Sequence, residues 1–136
     1  MNKNILGFII LVFTVLLFNS CKKTPGQGGN ARIKGVFWER KYDLFFSIVQ
    51  ARYPSVNRTV YLFFGDDTSP GTTVNTNSKG EFEFQYLRKG KYKVVVYSRQ
   101  NQTSSSTTPN VSPLEYFVDL TKRNQITDIG LDTINQ

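Results

Sequence analysis

Between Gly71 and Tyr97 the chain alternates apolar and polar residues in a way that suits extended strands and little else. Phe82, Phe84 and Tyr86 alternate with Glu81, Glu83 and Gln85, the period-2 pattern of a half-buried strand. Asn77-Ser78-Lys79-Gly80 before it and Leu87-Arg88-Lys89-Gly90 after it are turn sequences, with Gly80 available for a positive φ. Tyr92, Val94 and Val96 then alternate with Lys91 and Lys93, until Val95 and Tyr97 make the second face apolar as well. A strand apolar on both faces belongs near the centre of a sheet or beside another element.

The rest of the chain has the same texture. Val60 to Phe64 is a short β-rich run closed by Gly65-Asp66-Asp67, and Asp43 to Val49 reads as an additional strand. Tyr116-Phe117-Val118 and Ile126 to Ile134 supply further strands, the alternation slipping near Gly130 as it does at a bulge. Past Cys21 no segment keeps a helical period. The expected fold is all-β: a single antiparallel β-sandwich over residues 31–136, a usual size for one such domain.

The N-terminus sets the expected compartment. Lys3, the apolar run Ile5 to Phe18 and the small-residue exit Asn19-Ser20 have the layout of a secretory signal peptide over residues 1–20. The run is short of the about 20 apolar residues that a membrane-spanning helix needs. Cys21 follows directly and is the single cysteine of the chain. The arrangement resembles a bacterial lipoprotein signal of the Bacteroidetes type. That resemblance implies that the Cys21 thiol is acylated, by palmitate among others, and becomes the first residue of a protein anchored in the outer membrane. The periplasmic leaflet and the cell surface are both open, and ordinary secretion is the alternative. Residues 21–30, with Lys22-Lys23-Thr24-Pro25-Gly26-Gln27-Gly28-Gly29-Asn30, read as a flexible tether.

Composition excludes several chemistries. The chain has no histidine, so neither a Ser-His-Asp triad nor the commonest metal ligand is available. With Cys21 assigned to the lipid, no cysteine remains for a nucleophile or a disulfide. Asp66-Asp67 and Glu81/Glu83 are the carboxylates from which acid–base chemistry would be built, although neighbouring turn aspartates usually cap local backbone. No loop has the spacing of a calcium site. Formal charge is +7, from 17 basic against 10 acidic side chains. Removing residues 1–20 takes away Lys3 alone, leaving 16 basic side chains. Such an excess favours polyanions, phosphorylated lipid, acidic polysaccharide or nucleic acid; spread along the chain as it is, it suits a solvated basic surface rather than a nucleic-acid site.

The order of motifs resembles one family. Ile33-Lys34-Gly35-Val36, then Pro54 through Val60-Tyr61-Leu62, then Thr76 to Phe84 with Gly80, then Leu87 to Gly90, Tyr92 and Val94, follow the pattern of carboxypeptidase regulatory-like domains. These are transthyretin-like, prealbumin-type sandwiches. The resemblance implies that Phe82, Phe84, Tyr92, Val94 and Val96 line the space between two sheets, and that the domain is a non-catalytic accessory module.

No residue set announces a reaction, so the expected function is binding. The candidate surface comprises Trp38, Tyr97, Arg88, Lys89, Lys91 and Lys93. Trp38 has two readings, a core residue or a platform for sugar rings. The basic residues are either phosphate contacts or a solvated, guarded sheet edge. The polar stretch Ser98 to Pro113 reads as a surface loop, or as a loop presenting a site on a rigid scaffold. The expected role is a membrane-anchored module that binds an envelope protein; the alternative is a carbohydrate-binding module of a glycan-capture system. No catalytic residue, metal or cofactor is expected.

Overall fold

Strand β1 (Gln27–Tyr42) runs for 16 residues and organises the molecule. Ala31, Ile33, Gly35, Phe37 and Glu39 are buried, while the intervening Arg32, Lys34, Val36, Trp38 and Arg40 face outward. The computed structural model describes residues 24–43, 48–99 and 111–135. After β1 come β2 (Val49–Pro54), β3 (Thr59–Phe64), β4 (Thr72–Asn75), β5 (Glu81–Leu87), β6 (Gly90–Arg99), β7 (Val111–Leu120) and β8 (Ile126–Asn135).

β1 is the centre of one sheet. β8 lies parallel along one edge, from Arg32 opposite Ile126 to Arg40 opposite Asn135. The other edge is shared, β5 pairing antiparallel with the first half of β1 and β2 with the second. The second sheet has the order β4-β3-β6-β7 and is antiparallel throughout. An all-β sandwich is therefore the fold, with β1–β8 the one parallel pair among the described strands.

The core lies between the sheets. Ala31, Ile33, Phe37, Val60, Leu62, Leu87, Tyr92, Val94, Val96, Leu120 and Ile134 have at most 1% of their surface exposed, and Phe82 and Phe84 only 4%. Burying each larger side chain contributes roughly 1.5–3 kcal/mol before conformational entropy is set against it. Phe37 stacks on Phe82 with ring centroids 5.1 Å apart and planes 8° from parallel. Every member of this cluster lies between Ala31 and Ile134, so a chain beginning at Lys22 carries the whole sandwich. β6 sits inside its sheet, as its two apolar faces require: Val94 and Val96 point to the core, and Val95, facing away, is still only 3% exposed.

Four elements differ from the sequence expectation. β1 begins at Gln27, so 27–30, expected in the tether, are strand. Tyr92 explains this: its hydroxyl accepts the Gly26 N–H at 2.9 Å and lies 2.7 Å from the Arg88 carbonyl, while the Arg88 N–H reaches the Gly26 carbonyl at 2.8 Å. Tyr86, expected to alternate inward, is 66% exposed. The chain bulges there, with Ala31 opposite Leu87 but Ile33 opposite Phe84, and Tyr86 takes a φ of 60°. β2 runs over Val49–Pro54, past the end of the strand expected at 43–49, of which 44–47 lie outside the described residues; the Asp43 N–H donates to the Ile48 carbonyl at 3.1 Å and its carboxylate accepts the Ile48 N–H at 3.2 Å. Within Ser98–Pro113, expected as a surface loop, the described residues 98–99 and 111–113 are strand, Ser98 and Arg99 pairing with Ser112 and Val111.

The signal peptide, Cys21, residues 44–47 and residues 100–110 lie outside the described residues.

Candidate functional site

Among the described residues, the outward face of the β6 sheet gathers aromatic side chains that are not core. β3 and β6 alternate, so Tyr61 and Phe63 face away from buried Val60 and Leu62, and Tyr97 faces away from buried Val96 and Ser98. Register brings them into rows: Tyr61, Val95 and Glu115 side by side, then Phe63, Lys93 and Phe117. Phe117 is 77% exposed, Val111 51% and Tyr97 43%. Tyr61 and Tyr97 meet edge to face, 5.7 Å apart at 82°. The Lys93 ammonium stands 4.9 Å from the Phe63 ring centre and 3.3 Å from the Glu115 carboxylate. The face is thus an apolar floor at Val95, aromatic walls, and a rim that includes Lys91, Lys93, Arg99 and Glu115.

At one end this face opens into a cleft of about 330 Å³ bordered by Arg58, Tyr61 and Tyr97 and backed by Glu39. Glu39 is 5% exposed. Its Oε1 accepts from Ser55 Oγ at 2.8 Å, Arg58 Nη2 at 2.7 Å and Arg58 Nε at 3.2 Å. Thr76 locks the arrangement, donating its hydroxyl to the Ser55 carbonyl and accepting the Arg58 N–H at 2.8 Å. A carboxylate so fully engaged orients Arg58 and keeps a buried charge compensated.

A second cleft, of about 350 Å³, lies between the sheets' edges near Lys34, Asn77, Glu81, Glu83 and Asp128. Its carboxylates are each engaged by a neighbour: Glu83 by Arg32, Asp128 by Lys34 at 3.5 Å, and Glu81 by Asn77 at 2.8 Å. A third cleft gathers Arg88, Lys89 and Arg123. Among the described residues no group of three or more acidic, cysteine or histidine side chains is placed to hold a metal ion.

The six sequence-selected residues are divided among three places. Tyr97, Lys91 and Lys93 share the outward face of the β6 sheet. Trp38 is on the other side of the molecule, half-buried on the outward face of the β1 sheet between Pro54 and Thr133. Arg88 and Lys89 are on the β5–β6 turn at the end of the sandwich where β1 begins. Tyr61, Phe63 and Phe117 escaped selection because their neighbours in the rows come from distant segments. Glu39 had one signal that would have found it: it shares the parity of Ile33 and Phe37, so a strand through those residues points a charge inward.

Two tyrosines titrate abnormally high. Burial raises Tyr116, and its hydrogen bond to the Asp132 carboxylate raises it further. Burial likewise raises Tyr92, against backbone bonds to Gly26 and Arg88 that lower it. In the unfolded chain both lose their protons near pH 10. Their contribution to stability is therefore complete below about pH 10 and is lost as pH rises through the raised folded values. Urea titrations at pH 9 and 11 should show stability falling, by at most about 1.4 kcal/mol per pH unit for each group. Tyr116→Phe should flatten that fall; an unchanged slope would contradict the assignment.

The chain matches no protein-family model and no curated protein. Among solved structures it is similar to a candidate carbohydrate-binding protein from Pseudomonas aeruginosa, at TM-score 0.48 and 15% identity over 82% of this chain and 92% of that one. It is also similar to (S)-allantoin synthase, at TM-score 0.41 and 13% identity, covering 74% of this chain and 41% of the other. A third likeness is to a 9R-lipoxygenase from Cyanothece, at TM-score 0.39 and 14% identity, covering 93% of this chain and 20% of the other.

Proposed function

We propose that this chain is a non-catalytic binding module of a bacterial envelope, held to the outer membrane by acyl groups on Cys21, that engages an envelope protein through the outward face of the β6 sheet. The observation that carries the reading is the row Phe63–Lys93–Phe117 beside buried Val95, with Phe117 left 77% exposed. An apolar centre with aromatic neighbours and a charged rim is the composition of a protein interface. β7 forms one border of this sheet, so its backbone is also placed for strand addition. The non-catalytic part of the reading is supported by the engagement of Glu39, Glu81, Glu83 and Asp128 with their own partners. The motif order supports a sandwich of the carboxypeptidase regulatory-like kind.

Binding of an acidic glycan is the second reading, favoured by Lys91, Lys93 and Arg99 sharing one face of β6 with Val95 and Tyr97. Against it, Tyr61 and Tyr97 stand at 82° to one another, so the pair offers no common plane for sugar rings.

Photo-crosslinking residues placed singly at Phe117, Tyr97 and Trp38 separate these readings in intact cells. Phe117 and Tyr97 should each capture the same envelope protein, and Trp38 should not. Capture through Trp38 alone, or a polysaccharide retained by the purified chain and released by Tyr97→Ala, would overturn the reading. Cys21→Ala should independently release the protein from membranes or leave its precursor uncleaved.

A further inference from the structure

The cleft at the start of β1 has chemistry that the binding face does not use. β1 pairs with Leu87 twice, through Gln27 and again through Ala31, so Gly28-Gly29-Asn30 bulge between the two pairings. Gly28 has a φ of 99°, and a Cβ there would lie 3.0 Å from Arg88 Nη2. At Gly29 a Cβ would lie 2.0 Å from the Leu87 carbonyl oxygen. Both glycines therefore let the β1 backbone pack directly on the chain at Leu87–Arg88, with the Arg88 guanidinium laid against Gly28. Arg88, Lys89 and Arg123 border the resulting cleft of about 320 Å³, and no carboxylate lines it. The ion pairs of the described residues engage Arg32, Lys34, Arg58 and Lys93, none of which is in this cleft. The aspartates of the same end, Asp66 and Asp67 on the β3–β4 turn and Asp119 on β7, lie outside the lining.

The backbone that carries two of the cations is held in place by the fold. Arg88 is fixed by its backbone bonds to Gly26 and Tyr92. Arg123 rides a turn closed by Gln125, whose Oε1 accepts the Thr121 and Lys122 N–H groups at 2.9 and 3.1 Å and whose Nε2 reaches the Asp119 carbonyl at 3.1 Å. Two guanidinium groups and an ammonium lining one cleft without a carboxylate suit the charge and hydrogen-bonding capacity of a phosphoryl group.

Position names the carrier of that group. Gly26 is buried and stapled to Tyr92. From Cys21 to Pro25 the chain spans at most about 14 Å when fully extended. An anchor on Cys21 therefore brings this end of the sandwich to the membrane surface. We infer that the cleft lined by Gly28, Gly29, Arg88, Lys89 and Arg123 binds the phosphoryl group of an anionic lipid headgroup. It thereby orients the domain with the opposite end, the β1–β2 hairpin and the Lys79 turn, directed away from the bilayer. The orientation rests on the anchoring of Cys21 proposed above; the chemistry of the cleft does not.

The test uses residues 22–136, so a failed anchor and a failed cleft give different results. Co-sedimentation is measured with phosphatidylcholine vesicles containing about one-third phosphatidylglycerol, and with phosphatidylcholine alone. The chain should pellet with the anionic vesicles only. Arg88→Gln/Lys89→Gln/Arg123→Gln should weaken this at least about fivefold, whereas removing three cations at the far end, Lys41→Gln/Arg52→Gln/Lys79→Gln, should change it less than about twofold. Arg123→Gln alone, on an exposed turn, should weaken it measurably with the melting temperature unchanged. Glycerol 3-phosphate should shift the Gly28 and Gly29 amide resonances. Equal losses for the two triple variants would reduce the effect to net charge and overturn the inference. So would amide shifts with inorganic phosphate in a chain that ignores anionic vesicles, which would make free phosphate the ligand.

Discussion

Phe37→Ala should lose about 4 kcal/mol of stability in a urea titration, the range typical of emptying an aromatic site in a packed core. Phe37 is completely buried, stacked on Phe82 and 5.9 Å from the Tyr116 ring. It therefore joins β1 and β5 of one sheet to β7 of the other, and its removal leaves a void bordered by elements that hydrogen bonds hold apart. Its own backbone is engaged on both sides, the N–H with the Gly80 carbonyl and the carbonyl with the Ser55 N–H, each at 2.9 Å. Local collapse is therefore restricted. Against a total of roughly 5–15 kcal/mol for a domain of this size, the variant should be substantially unfolded at moderate denaturant. Phe37→Leu, which keeps most of the volume, should lose less than about 2 kcal/mol. A loss under about 1 kcal/mol for Phe37→Ala would mean that the two sheets do not meet through this ring.

Gly80→Ala should cost about 3 kcal/mol, while Gly130→Ala should cost about 1 kcal/mol. Both glycines have positive φ, 76° and 83° respectively. They differ in surroundings. A Cβ on Gly80 would fall 2.2 Å from the Phe37 carbonyl oxygen, whereas at Gly130 nothing lies within 4 Å. The Gly130 variant therefore measures the conformational penalty alone, and the difference between the two measures the clash and the disturbed contact with Phe37. Equal costs, read from thermal or urea unfolding, would show that the β4–β5 turn yields without moving β1.

These two sites also show how legibility divides. Gly80 as a turn glycine, Phe82 and Phe84 as inward residues, Gly130 as a bulge, and β6 as an interior strand are all statements about neighbours in the chain. Period-2 alternation and turn chemistry carry them, and the structure has each of them. Tyr86 continues the same alternation yet faces solvent, because Leu87 must pair with Ala31 across a bulge that depends on β1. The tether ended early for a comparable reason: Gly26 is held by a hydroxyl 66 positions away in sequence.

The candidate surfaces divide in the same way. Lys91, Lys93 and Tyr97 are one strand's alternate residues, so their common face follows from spacing. Their union with Tyr61, Phe63 and Phe117 follows from register between β3, β6 and β7. The engagement of Glu39 by Ser55 and Arg58, and the cleft that Arg88 and Arg123 line with Gly28, likewise join segments far apart in sequence.

By itself, then, the sequence determined an all-β chain, its turn glycines and most of its inward residues, because backbone sterics and side-chain alternation act over two to four positions. The tertiary structure alone decided which strands adjoin, that Trp38 and Tyr97 occupy opposite faces, and which cations share a cleft. Those outcomes rest on the pairing of edges and the interlocking of two sheets, where each contact depends on residues that the chain brings together only after it has folded.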